Sequence, residues 1–163
     1  MISTALKRNY ATGAAANGVK TDMFTFFLLF FYTNIAGLEP ALAGLAILVA
    51  LCVDAITDPL MGTITDRTNS RFGRRHPFMF VSFIPLSIGY VLLFIPNPSW
   101  DVSQTGLFLW MVSFAILTRV GMTLFDIPHR GLGAELSKDY EERALIMSWR
   151  ELFGWLAGLT NAF

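Results

Sequence analysis

Residues 40–65 read PALAGLAILVALCVDAITDPLMGTIT, which is long and apolar enough to cross a lipid bilayer as one helix. Such a helix needs about 20 mostly apolar residues. The run nevertheless contains two acids, Asp54 and Asp58, in its second half. The apolar length predicts a membrane-spanning helix. The two acids predict that one side of it faces a cavity or a polar partner, because charges in hydrocarbon are costly.

Four further apolar segments flank this one, at residues 13–38, 77–96, 104–128 and 144–163. Short connections rich in turn-forming residues separate them, such as Pro96-Asn97-Pro98-Ser99. We therefore expect an all-α membrane protein with about five transmembrane helices. The fifth segment is still apolar at Phe163 and has no flanking charge, so we expect a truncated chain. A natural five-helix protein is the alternative.

The overall composition favours lipid as the main surroundings. Of the 163 residues, 54% are hydrophobic and 15% are charged, whereas about a quarter are charged in soluble domains. Lys and Arg total 12, as do Asp and Glu, so there is no basic excess of the kind that nucleic-acid binding requires. The single cysteine, Cys52, lies in an apolar run, which excludes a disulfide framework and a Cys-rich metal site.

The charges in the connections predict the orientation, because Lys and Arg accumulate on the cytoplasmic side of membranes. The connection after residue 65 carries four arginines, Arg67, Arg71, Arg74 and Arg75, and the N-terminus carries Lys7 and Arg8. The alternate connections contain only Glu39 and Asp101. We expect a multi-pass protein of the cytoplasmic (inner) membrane with its N-terminus in the cytoplasm.

The spacing of Asp54 and Asp58 predicts a cation site. Residues four apart lie on one helix face about one turn apart, so two ionised carboxylates here repel each other. A bound cation or a proton removes this repulsion, and carboxylate oxygens suit hard metal ions. The pair therefore indicates a site for Na⁺, Li⁺ or H⁺, with Asp54 and Asp58 as ligands if the ion is a metal. The alternative is that each acid forms a salt bridge with a basic residue elsewhere in the bundle.

A second polar group occupies the fourth and fifth segments. Thr123 lies three residues before Asp126 and shares its face, and Arg119 lies two turns before Asp126. Arg150 either pairs with Asp126, offers its planar fork to a sugar hydroxyl, or extends to the lipid headgroups. No nucleophile and base are arranged for catalysis, so we expect neither an enzyme nor a cofactor.

Residues 62–77, which cover the end of the second segment and the connection after it, contain a pattern that we call the gate motif, which consists of Gly62, Asp66, Arg67, Gly73, Arg74 and Arg75. Gly62 permits close approach of helices. Asp66 and the arginines can form charge pairs that close the cytoplasmic side in one conformer and break in another. The alternative is a generic positively charged loop.

Four stretches together resemble the glycoside–pentoside–hexuronide:cation symporters, the melibiose permease group of the major facilitator superfamily. They are DAITDPLMG at 54–62, the loop from Asp66-Arg67 to Gly73-Arg74-Arg75-His76-Pro77, DIP at 126–128, and ELSKDYEER at 135–143 followed by SWR at 148–150. The resemblance covers the chain from about Tyr10 to Phe163.

This resemblance implies a twelve-helix transporter of two six-helix halves, with this chain holding less than the first half and a C-terminal half missing. It implies cation-site positions at Asp54, Thr57, Asp58 and Thr123, and sugar-contacting positions at Asp126 and Arg150. The family's further acid in helix one aligns with Gly18, and the nearby Lys20 and Asp22 join the substrate-binding set. Arg130 stands where the melibiose permeases carry an aromatic residue.

The function that these features imply is cation-coupled symport of a sugar or glycoside, driven by Na⁺ or H⁺, by alternating access between the two halves. The departures at Gly18 and Arg130 favour a different glycoside, a uronic acid or a non-sugar solute over a melibiose-like galactoside. A non-transporting membrane sensor or assembly subunit is the alternative function.

Overall fold

The structure, a computed structural model, describes residues 3–96 and 102–160. Within these ranges every regular element is helical, which confirms the all-α prediction. The elements are α1 (Thr4–Asp22), α2 (Leu28–Phe30), α3 (Pro40–Arg67), α4 (His76–Val81), α5 (Phe83–Leu93), α6 (Gln104–Glu135) and α7 (Tyr140–Leu159). A π-helical turn, Met23–Phe27, joins α1 to α2, and a second one, Phe31–Ile35, follows α2 in the same continuous helical run.

The helix bounds differ from the predicted segments mainly at their ends. The helical run that contains α1 begins nine residues before the predicted segment 13–38, and α6 continues seven residues past Pro128. Pro128 removes only one backbone donor, and membrane helices tolerate that loss where neighbouring groups satisfy the freed carbonyl. The predicted turn at residues 97–99, the charge at Asp101 and the end of the fifth segment at 161–163 lie outside the described residues.

Three of the described helical stretches are long and apolar enough to cross a membrane: Pro40–Arg67, His76–Leu93 and Gln104–Glu135. They correspond to the three central predicted segments. The predicted segments 13–38 and 144–163 fall on helical stretches that do not meet this measure in the described residues. Their α-helices begin with charged sequence, KRN at 7–9 and YEER at 140–143, which lowers their mean hydropathy.

The residues form two compact units, which we call the terminal unit (Met1–Phe27 and His129–Phe163) and the central unit (Leu28–Pro128). In the terminal unit α1 packs directly on α7. A Cβ atom on Gly18 would collide with the backbone carbonyl oxygen of Gly154 and lie 2.8 Å from its carbonyl carbon. The ring of Tyr10 stacks on that of His129 with centroids 4.5 Å apart, and its hydroxyl donates to the His129 carbonyl. Small residues allow this approach, as is typical of helices that associate in membranes.

In the central unit α5 packs closely on α6. A Cβ on Gly121 would lie 2.8 Å from the backbone nitrogen of Leu86, and one on Gly89 would lie 3.0 Å from the Cα of Thr118. Tyr32 donates its hydroxyl hydrogen to the Leu93 carbonyl at 2.8 Å, so the buried phenol is satisfied. Large apolar side chains are exposed elsewhere on this unit, among them Leu48, Ile56, Phe80 and Phe83, as lipid-facing positions should be.

Candidate functional site

The structure places two of the four predicted cation-site residues in direct contact in the central unit. The hydroxyl of Thr123 on α6 donates to Oδ1 of Asp58 on α3, at 2.7 Å. Thr123 is buried, and Asp58 is half-buried. A carboxylate and a hydroxyl from two different helices thus provide oxygen atoms at one point, which is the ligand chemistry that hard cations prefer.

The other acid of the pair contacts a basic residue. Nη1 of Arg119 on α6 donates to Oδ2 of Asp54 at 2.7 Å, and the two side chains are 20% and 17% exposed. The salt-bridge alternative therefore holds for Asp54 in this structure, whereas the observed partner of Asp58 is a hydroxyl. The two acids have different partners although they share one helix face.

Two further oxygen atoms at this site have no hydrogen-bond partner among the described residues. They are Oδ1 of Asp54 and the hydroxyl oxygen of Thr57, both of which are buried. Buried polar groups are nearly always satisfied, so such atoms are candidate ligands for a transient ion. The described residues contain no group of three or more His, Cys, Asp and Glu side chains that would hold a metal ion. The role of Asp54 and Asp58 as metal ligands stays a prediction.

The register of α3 and α6 explains both contacts. The pairs Asp54–Arg119 and Asp58–Thr123 have the same sequence separation, 65 residues. Two helices with such contacts run in the same direction and lie in register over one turn. This register could have been inferred from the sequence, because Arg119 and Thr123 are four residues apart, as Asp54 and Asp58 are. Sequence reasoning placed Arg119 near Asp126 and missed its contact with Asp54.

The predicted substrate-binding residues are divided between the two units. Asp126 lies on α6 in the central unit and is half-buried. Lys20 and Arg150 lie in the terminal unit on α1 and α7, and they are only 8% and 5% exposed. Arg150 forms an ion pair with Glu151. Its burial is not that of a side chain extending to lipid headgroups, so that alternative is wrong for this structure.

The terminal unit has little free space beside the other predicted substrate residues. The carboxylate of Asp22 lies where a side chain at Gly158 would be, because a Cβ there would collide with it. A Cβ on Gly18 would likewise collide with the backbone of Gly154. An acid at Gly18, which the resemblance to the melibiose permease group would imply, has no room there, because its Cβ would collide with the Gly154 backbone.

The gate motif forms one of the expected charge pairs. Nη2 of Arg75 donates to Oδ1 of Asp66 at 3.0 Å, while Arg67 and Arg74 are exposed. Gly73 has a φ of 89° and donates its backbone N–H to Ser70 at 3.0 Å. Among the described residues no helix approaches Gly62 closely, because a Cβ there would contact a single atom within 4 Å, on Ile127.

The backbone of Gly73 leads to a prediction about the gate loop. Changing Gly73 to alanine should lower the stability of the full-length protein by about 1 kcal/mol, since left-handed backbone disfavours a Cβ. Thermal unfolding in detergent would measure this. Gly44→Ala is the matched control, because Gly44 lies in a helix and an added Cβ there would meet nothing within 4 Å in the described residues beyond its own helical turn. Equal unfolding temperatures for the two variants would contradict the prediction.

Comparison with known proteins decides the family. A family model described as MFS/sugar transport protein matches residues 9–163. The chain belongs to the MFS/sugar transport protein family. This membership confirms the expected resemblance to cation symporters and the major facilitator type of helical bundle.

Three curated relatives from different organisms are similar to this chain. It is 37% identical to an uncharacterized symporter of Synechocystis sp., over 90% of the chain and 28% of the relative. It is 34% identical to a putative glycoside/cation symporter of Escherichia coli, over 88% of the chain and 31% of the relative. It is 31% identical to a sodium-dependent lysophosphatidylcholine symporter of Danio rerio, over 91% of the chain and 28% of the relative. The chain thus spans about three-tenths of the length of these relatives.

Proposed function

We propose that this protein takes part in cation-coupled symport of a sugar or glycoside across the cytoplasmic membrane. The observation that carries the proposal is the contact between Asp58 on α3 and Thr123 on α6. It provides oxygen ligands from two helices inside the central unit, together with Oδ1 of Asp54 and the Thr57 hydroxyl oxygen, which have no hydrogen-bond partner in the described part of the chain. The coupling ion is a transported Na⁺, Li⁺ or H⁺, and the proposal includes no resident cofactor.

Coupling follows if both ligands stabilise the same conformer. A cation at Asp54, Thr57, Asp58 and Thr123 would favour the state that binds substrate, and bound substrate would raise cation affinity by the same factor. Asp126, Arg150, Lys20 and Asp22 would contact the substrate. A C-terminal half would supply the opposite wall of the cavity, and rocking of the halves would expose the site to each side in turn.

The gate motif would contribute at the cytoplasmic side, where we place the N-terminus and the connection after α3. Opening of that side would require the Asp66–Arg75 pair to separate. The pair is exposed at Asp66, so its strength is modest and it can break within a transport cycle.

The packing at Gly18 supports a substrate other than a melibiose-like galactoside. A helix-one carboxylate there has no space, and Lys20 and Arg150, two buried side chains of the terminal unit, are basic. A different glycoside or a uronic acid is the substrate that suits a site with these two basic side chains. A non-sugar solute is the second candidate, and the relative named as a sodium-dependent lysophosphatidylcholine symporter favours it.

Uptake by the full-length protein in proteoliposomes would test this function. The panel would contain neutral glycosides, a hexuronide and lysophosphatidylcholine, each with an inward Na⁺ gradient, an inward H⁺ gradient or none. We expect accumulation of one sugar-like compound above its external concentration, and collapse of that accumulation when an ionophore dissipates the gradient. Accumulation of the lipid alone would support the second candidate. Absence of uptake under every gradient would contradict both and favour a sensor or assembly subunit.

A further inference from the structure

Arg119 introduces a positive charge into the predicted cation site that the site's proposed role does not explain. Its guanidinium holds Oδ2 of Asp54 at 2.7 Å, one helical turn from the Asp58–Thr123 contact. We propose that Arg119 is a tethered competitor of the coupling cation, which occupies Asp54 and limits the site to one monovalent cation at Asp58. This inference rests on the proposed function of the site.

The charges at the site set how many ions it accepts. Two carboxylates and one guanidinium leave one net negative charge, which one monovalent cation balances. A second cation, or a divalent one, would leave a net positive charge among half-buried groups, and such uncompensated charge is costly in a poorly polarisable interior. A site without Arg119 would have two net negative charges and would attract cations more strongly.

The geometry leaves ligands for the ion while Arg119 stays in place. The guanidinium uses only Oδ2 of Asp54, and Oδ1 is buried without a hydrogen-bond partner among the described residues. The Thr57 hydroxyl oxygen is likewise buried without a hydrogen-bond partner among the described residues. Because Asp54 and Asp58 lie about 5–6 Å apart along the helix, an ion at Asp58 is near enough to the guanidinium to be repelled. Arg119 should therefore lower cation affinity without removing the site.

A merely structural role for Arg119 predicts a different result. If its only task were to hold α3 and α6 together through Asp54, then its loss would disturb the site, lower the stability of the fold, and leave the affinity for cations unchanged or weaker. If it competes with the ion, then its loss should raise the affinity. The sign of the change in affinity separates the two roles.

Binding of radioactive Na⁺ to the full-length protein in lipid nanodiscs would test the inference. Arg119→Gln should bind Na⁺ about tenfold more tightly than the wild type, whereas Arg119→Lys, which keeps the charge, should stay close to the wild type. Asp54→Asn should lose Na⁺ binding, because Arg119 then neutralises Asp58. The double variant with Asp54→Asn and Arg119→Gln should bind Na⁺ again through Asp58. A thermal unfolding curve of each variant would establish that it is folded.

The outcomes distinguish this inference from the proposed function. Saturable Na⁺ binding by the wild type with equal or weaker binding by Arg119→Gln would overturn the role of Arg119 and leave the cation site standing. Binding by Arg119→Gln alone would support the inference, since the competitor would then mask the site in the wild type. Absence of Na⁺ and Li⁺ binding in every folded variant would overturn both the competitor and the metal-ion site.

Discussion

Replacing Gly18 with aspartate is expected to lower the stability of the terminal unit by about 3 kcal/mol or more. The change restores the acid of the melibiose permease group, but its Cβ would collide with the backbone of Gly154. Overpacking typically costs about 1–3 kcal/mol, and burying a carboxylate without a partner adds to that cost. Thermal unfolding of the full-length protein in detergent would measure the effect.

Alanine variants at the two glycines of the α1–α7 contact, Gly18 and Gly154, serve as controls. Gly18→Ala should also destabilise, because its Cβ would meet the Gly154 backbone, whereas Gly154→Ala should be nearly neutral, because its Cβ would lie 3.6 Å from the Ala14 carbonyl oxygen. Equal tolerance of alanine at the two positions would show that the close approach of α1 and α7 is not as described. Improved galactoside uptake by a stable Gly18→Asp variant would contradict the explanation that an acid at Gly18 has no room beside Gly154.

Replacing Asp58 with asparagine is expected to weaken the cation dependence of uptake by about two orders of magnitude or more. Asparagine keeps an oxygen that accepts from the Thr123 hydroxyl, so the contact between α3 and α6 should survive while the negative charge is lost. A unit charge about 4 Å from another is worth roughly 4 kcal/mol at an effective dielectric constant near 20. The Na⁺ or H⁺ concentration that gives half-maximal uptake would be measured in proteoliposomes.

Asp139→Asn is the matched control for the loss of a carboxylate. Asp139 caps the start of α7 by accepting from the Glu141 backbone N–H at 3.1 Å, and asparagine caps equally well. This variant should keep the cation dependence of the wild type. Unchanged cation dependence in a doubly substituted protein, with asparagine at Asp54 and Asp58, would remove the basis of the cation site.

The sequence predicted those parts of the fold that depend on apolar length and helical spacing. The segment 40–65 became α3 almost without change, and the spacing of Asp54 and Asp58 placed both on one face because helical periodicity is local information. Pro128 misled the prediction of where α6 ends, since a proline in a membrane helix is tolerated once its neighbours satisfy the backbone.

The contacts between helices were the part that sequence reasoning could not supply. Close packing was expected at Gly62 and occurs instead at Gly18, Gly89 and Gly121, because a glycine's neighbour depends on how helices far apart in the chain cross. The partner of Asp54 was missed for the same reason. The π-helical turns were also missed, although Thr33 and Asn34 there donate to the carbonyls of Leu29 and Phe30 and so compete with the regular backbone ladder.

The shared direction and register of α3 and α6 have a consequence for ion access. Asp54 and Asp58 lie one turn apart on α3. Their partners, Arg119 and Thr123, lie one turn apart on α6. An axial slide of one turn, about 5.4 Å, would carry Arg119 from Asp54 to a place opposite Asp58. In the proposed cation site, the carboxylate that is open to an ion would therefore depend on the axial position of α6 along α3.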